Sequence, residues 1–174
     1  MREVKFSNNA NHKKLAGTYL MFSAIEDKEL REGINKYIFH LVNSNTDLDF
    51  EPQEYPHVTL FASPDDIGYA SKLELISYAR SILPPSNRLI DVEVVGTDLF
   101  SEDKQTLVIR LRSDSLDEMN SKICAFMSER GVKMSEYSFN PHLTLGRLSR
   151  SEVHLPPVEG MGISFKNLTI SVGY

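Results

Sequence analysis

A five-residue string occurs twice in this chain, as Pro56-His57-Val58-Thr59-Leu60 and as Pro141-His142-Leu143-Thr144-Leu145. Four of the five positions are identical, and the remaining one exchanges Val for Leu. In a strand, successive side chains point to opposite faces, so His and Thr share one face and the two aliphatic residues share the other. The aliphatic face enters a core, and the polar face meets water, a partner or a ligand. A proline directly before each histidine fits the start or the edge of a strand. With five His and seven Thr in 174 residues, random placement gives about 0.2 His-x-Thr triplets. One such triplet is an ordinary solvated strand face. Two, each inside a longer match, are a constraint on the fold, because repeats that serve packing alone repeat apolar residues and this one repeats polar residues too.

The surroundings repeat as well: strand, helix, loop and motif run from Leu15 to Phe61 and again from Thr106 to Leu145. Gly17 to Ile25 is apolar enough for a buried strand, and Leu30, Ile34, Ile38 and Leu41 give a helix within Glu26 to Asn45. The stretch from Asn43 to Pro56, rich in Asn, Asp and Pro, reads as a loop before a strand at His57 to Phe61. A second helix carries Leu73, Ile76, Ala79 and Leu83 as its apolar stripe and stops at Pro84-Pro85. Strands are expected around Ile90 to Val94 and Leu107 to Arg112. Ser115 and Glu118 form a capping-box pattern for a third helix with stripe residues Leu116, Met119, Ile123 and Phe126 and a stop at Gly131. Strands at His142 to Arg147 and Ile163 to Val172 complete the chain. The expected architecture is α+β: two antiparallel sheets with flanking helices, related by a pseudo-twofold duplication. Residues 1–14, polar and without period, are expected to form a flexible arm, and residues 15–174 a single bilobal domain long enough to bury roughly 70% of its extended surface.

The chemistry follows from pairing two imidazoles with two hydroxyls. Two such strands facing each other would gather all four groups around one cavity. Imidazole, with an ordinary pKa of about 6.5, can act as base or acid near neutrality. Threonine hydroxyls can hydrogen-bond the non-bridging oxygens of a tetrahedral anion. A phosphodiester matches this arrangement, because in-line attack needs a base and an acid on opposite sides of phosphorus. Either histidine can be the base. The net charge of -5 opposes a long duplex nucleic acid held by a basic stripe and still allows a small anion in a local pocket. No apolar run approaches the ~20 residues of a membrane span, and the polar start lacks a signal-peptide pattern, so no membrane partner is expected. The single cysteine, Cys124, suits a reducing cytoplasm. His12, His40 and His154 lack metal-ligand spacing, so neither a metal site nor a cofactor is expected.

At these residues the chain resembles the two-histidine phosphoesterase superfamily, whose signature is a pair of H-x-[ST]-x motifs in two lobes. The resemblance implies a metal-independent phosphodiesterase with His57, Thr59, His142 and Thr144 as its catalytic set. The Gly146-Arg147 that follows the second motif is similar to LigT-like RNA 2',3'-cyclic phosphodiesterases. The opening GTYLMFSA and the compact size are more similar to phage anti-CBASS nucleases, which degrade cyclic oligonucleotide signals. That group implies base contacts from the first strand and the C-terminus, matched here by Tyr19 and Tyr174, while Arg147 is a candidate phosphate contact. The expectation is therefore a hydrolase that takes a cyclic oligonucleotide or short RNA as its substrate and cleaves cyclic oligonucleotides by 2'-hydroxyl attack through a 2',3'-cyclic phosphate. It would work as a monomer in the cytoplasm, the host's if phage-encoded. The alternatives are a LigT-like enzyme, a 2',5'-oligoadenylate phosphodiesterase, and a non-catalytic module that sequesters a nucleotide.

Overall fold

The two motif strands lie side by side because each buries its aliphatic face in a shared core. The computed structural model describes residues 17–23, 28–54, 56–83, 92–101, 103–159 and 169–173. Its elements are β1 (Thr18–Ser23), α1 (Lys28–Ser44), β2 (Phe50–Pro52), β3 (His57–Ser63), α2 (Gly68–Ser81), β4 (Glu93–Phe100), β5 (Thr106–Arg112), α3 (Asp114–Ser128), β6 (His142–Leu148) and β7 (Thr169–Gly173). The expected arm at 1–14, His12 and Tyr174 lie outside the described residues.

The fold is α+β, as expected. Among the described residues, six strands run in the order β4-β5-β6-β3-β1-β7, and β2 adds to β6 as a seventh. β7-β1-β3 and β4-β5-β6 are two antiparallel half-sheets, each with its motif strand innermost. They are joined into one sheet by a single register pair, Val58 with Leu143. The two expected sheets thus meet edge to edge, and the motif strands are neighbours in one surface instead of facing each other. β1-α1-β3 and β5-α3-β6 are the duplicated units.

Leu20, Phe22, Val58, Leu60, Leu107, Ile109, Leu143 and Leu145 are buried on one side of the sheet, together with the apolar stripes of α1 and α3. The helices tie the halves together. Tyr37 of α1 donates its hydroxyl proton to Thr97 Oγ1 of β4 at 3.1 Å, and Asn120 of α3 donates to the Leu60 carbonyl of β3 at 2.7 Å.

Three local readings are corrected. β2 falls in the stretch read as loop; its three residues pair with β6 from Phe50–Leu148 to Pro52–Gly146. Helix α3 is capped by Ser113, whose Oγ accepts from the Leu116 amide at 3.2 Å, so it starts before the capping-box pattern at Ser115. The stripe of α2 is Lys72, Leu75 and Ala79, while Leu73 is 50% exposed. Lys72 belongs to that stripe because its ammonium reaches Asp66 at 2.7 Å while its stem is buried.

Candidate active site

Each motif strand carries a β-bulge at the same place. The β1–β3 register runs from Met21–Thr59 to Leu20–Phe61 and skips Leu60. The β5–β6 register runs from Val108–Thr144 to Leu107–Gly146 and skips Leu145. A bulge deprives the extra residue of its ladder partner. The two carbonyls are satisfied by different means: Asn120 Nδ2 donates to Leu60 O at 2.7 Å, and the Gln53 amide donates to Leu145 O at 2.7 Å. The bulges also reset the alternation. His142 and Thr144 are half-buried, Leu143, Leu145 and Gly146 are buried, and Arg147 emerges exposed. Without the extra residue, Arg147 would belong to the core face. Gly146, at φ 155°, permits the close approach of β2: a Cβ there would sit 2.2 Å from the Glu51 carbonyl oxygen.

Around the Val58–Leu143 pair, the antiparallel direction sets His57 abreast of Thr144 and Thr59 abreast of His142. All four are half-buried on the face opposite the core, whereas Val58, Leu60, Leu143 and Leu145 are buried. The structure therefore brings together the four residues singled out in the sequence. Tyr19 joins that face beside Ala62 in the register of β1 and β3. The Arg147 guanidinium is held by Asp103 and, at 3.0 Å, by Gln105 Oε1. The Ser101 hydroxyl bond is the largest cause holding the Asp103 carboxyl below its ordinary range; desolvation opposes it, and the bonds from Arg147 and the Gln105 amide add to the lowering.

Arg110 was not singled out from the sequence. It pairs with His142 across β5 and β6, the position that Ser23 occupies beside His57 in the other half. Its guanidinium lies 3.8 Å from the Asp98 carboxylate. An arginine there supplies planar N–H donors suited to a phosphate. The alternation of β5 carries the signal, but its register against β6 is needed to bring Arg110 to the histidine.

His142 is fixed in orientation. Its Nδ1 is 2.7 Å from the Asn140 carbonyl oxygen, and its ring lies 4.9 Å from that of Phe100. A carbonyl only accepts, so Nδ1 carries the proton of this bond and Nε2 is the nitrogen presented for proton transfer. A cavity of about 460 Å³ opens beside it, with Thr59 and His142 in its wall together with Phe100, Asn120, Tyr137 and Phe139. His57 and Thr144 are outside its lining. His40 and His154 are both exposed, away from this wall. Among the described residues, no three His, Cys, Asp or Glu side chains group so as to hold a metal ion, and no helix is long and apolar enough to cross a membrane.

No family model and no curated protein matches the chain in sequence. Solved structures do match in fold. The MHV ns2 PDE domain superposes with a TM-score of 0.57 at 18% identity, covering 91% of this chain and 99% of that one. A phosphoesterase superposes with a TM-score of 0.51 at 18% identity, covering 82% of this chain and 78% of that one.

Proposed function

We propose that the chain is a phosphodiesterase in which His57 and His142 exchange protons with the attacking and departing oxygens while Thr59 and Thr144 hold the non-bridging oxygens. The observation that carries this reading is the placement of both His-x-Thr pairs on one face, at the single pair that joins the half-sheets. The likeness to a PDE domain and to a phosphoesterase supports the same class of reaction. The substrate of this proposal is a cyclic oligonucleotide. One histidine takes the proton of a ribose 2'-hydroxyl, whose oxygen bonds to phosphorus, and the other protonates the 5'-oxygen as its bond to phosphorus breaks. The product is a 2',3'-cyclic phosphate. With the histidines in exchanged roles, water opens that ring.

Cyclic di- and trinucleotides, 2',5'-oligoadenylate and RNA ending in a 2',3'-cyclic phosphate, each incubated and analysed for products, form the test. Cleavage of the cyclic oligonucleotides is expected, and a 2'-deoxy group at the scissile 3',5' linkage should block it. Opening of terminal 2',3'-cyclic phosphate alone would identify the LigT-like alternative, and recovery of every ligand intact would identify a sequestering module. His57→Ala or His142→Ala should each lower the rate by about 10²- to 10⁴-fold, more than either Thr→Ala, and EDTA should leave the rate unchanged.

A further inference from the structure

The pseudo-twofold gives the two histidines equivalent strands and unequal surroundings. Beside Thr59 and His142, the half-sheets diverge from their one register pair, and the segment before β6 crosses the gap, its Ser135 amide donating to the Ala62 carbonyl at 3.0 Å. On the other side of that pair, β2 runs directly along β6. Among the described residues, this cavity of about 460 Å³ therefore lies on the His142 side, with His57 and Thr144 outside its lining. That volume falls within the roughly 300–1,000 Å³ usual for small-ligand sites.

Its lining contains no Asp, Glu, Lys or Arg. Apart from the His142 imidazole, such a wall offers an anionic phosphate no cationic side chain, and Arg110 and Arg147 lie outside it. It offers a neutral planar ring two kinds of contact. Phe100 and Phe139 provide aromatic surface, and Tyr137, 91% exposed, stands at the rim. Asn140 and Ser138 provide amide and hydroxyl groups for polar edges. Base–aromatic stacking of this kind contributes about 1–3 kcal/mol per base.

We infer that this cavity is a nucleobase subsite, which seats one nucleoside of the substrate on the His142 side of the scissile phosphate and so makes the two histidines inequivalent. The inference rests on the phosphodiesterase reading for the phosphate, and on the cavity's own chemistry for the base. Seating the base there directs the adjoining phosphate toward Thr59 and His142 Nε2, and an unsymmetrical substrate would then enter in one direction.

Phosphate-free nucleosides separate the two readings. Adenosine, guanosine, cytidine and uridine are titrated into protein carrying ¹³C-labelled methionine methyl groups, with ribose 5-phosphate and inorganic phosphate as comparisons. At least one nucleoside should shift the methyl signal of Met134, a lining residue, whereas the two phosphates should not. Phe139→Ala should weaken that binding about tenfold or more, and the exposed Tyr137→Ala, which leaves the core untouched, should weaken it as well. A Met134 response to phosphate but to no nucleoside, no response to any probe, or nucleoside binding unaffected by both variants would overturn the inference. Nucleoside binding in a protein that cleaves no phosphodiester would preserve the subsite and refute the enzyme, and cleavage without a Met134 response would do the reverse.

Discussion

The Leu60 carbonyl shows how a single side chain completes the site's scaffold. The bulge that follows Thr59 removes its ladder partner, and Asn120 restores the bond from the neighbouring helix. A buried acceptor left without a donor costs about 1–3 kcal/mol. Asn120→Leu, which also keeps water out of the vacated space, should destabilise the fold by that amount in urea unfolding. Asn43→Leu is the comparison: its amide donates to the Phe39 carbonyl on an exposed part of α1, and the change should fall within about 0.5 kcal/mol. At this scale the sequence was legible where residues announce themselves by repetition. His57, Thr59, His142 and Thr144 were found that way. Arg110 and Asn120 were not, because one acquires its place from strand register and the other from a bulge, and neither register nor bulge is written in a local pattern.

Helix boundaries show where local patterns compete. Ser113 and Ser115 both precede the apolar stripe of α3, and Ser115 carries the matching glutamate three residues on. The structure chooses Ser113, whose extended backbone at φ -164° and ψ 115° lets its hydroxyl reach the Leu116 amide. Ser113→Ala should therefore cost about 1 kcal/mol, and Ser115→Ala little, by the same unfolding measurement. At the start of α2, the Asp66 carboxylate accepts from the Gly68 amide at 3.0 Å and meets Lys72 at 2.7 Å. The Lys72 bond, then the Gly68 bond, hold its pKa below the ordinary 3.8. Its contribution to stability is therefore complete above the unfolded value and disappears as pH falls through the lower folded value. Asp66→Asn should be less stable than the parent protein at neutral pH, with the difference closing in acid below about pH 4; a difference that persisted there would show that charge is not its source. The helix itself was legible, but its face was not. Lys72 counts as polar in any hydropathy pattern, and only the pairing with Asp66 explains its burial. β2 was missed for a simpler reason, since three residues ending in proline carry no period and are a strand only because β6 has a free edge there.

Taken as a whole, the molecule joins its halves weakly along the sheet and firmly beneath it. One register pair links β3 to β6. Among the described residues, however, one core cluster joins Leu30 and Leu41 of α1, Leu75 of α2 and Ile123 of α3 with residues of both half-sheets. The duplication was legible in the sequence as two copies of one unit, but the crossing of their helices was not, because contacts such as Tyr37–Thr97 and Asn120–Leu60 each span 60 residues. These crossed contacts decide how the protein unfolds. If each half buried only its own helix, the single pair at the joint would let one half open before the other. Since α1 and α3 each bond to the opposite half-sheet, opening either half exposes core belonging to both. Unfolding in urea should then be one cooperative transition, with helix content by circular dichroism and the methyl signals of Met21 in β1 and Met119 in α3 lost at the same midpoint. Tyr37→Phe, which removes the hydroxyl bond to Thr97, should lower that common midpoint by the equivalent of about 1 kcal/mol without splitting the transition. Two separated midpoints in the parent protein would show that the half-sheets fold as independent units and that the histidines meet only after both have formed.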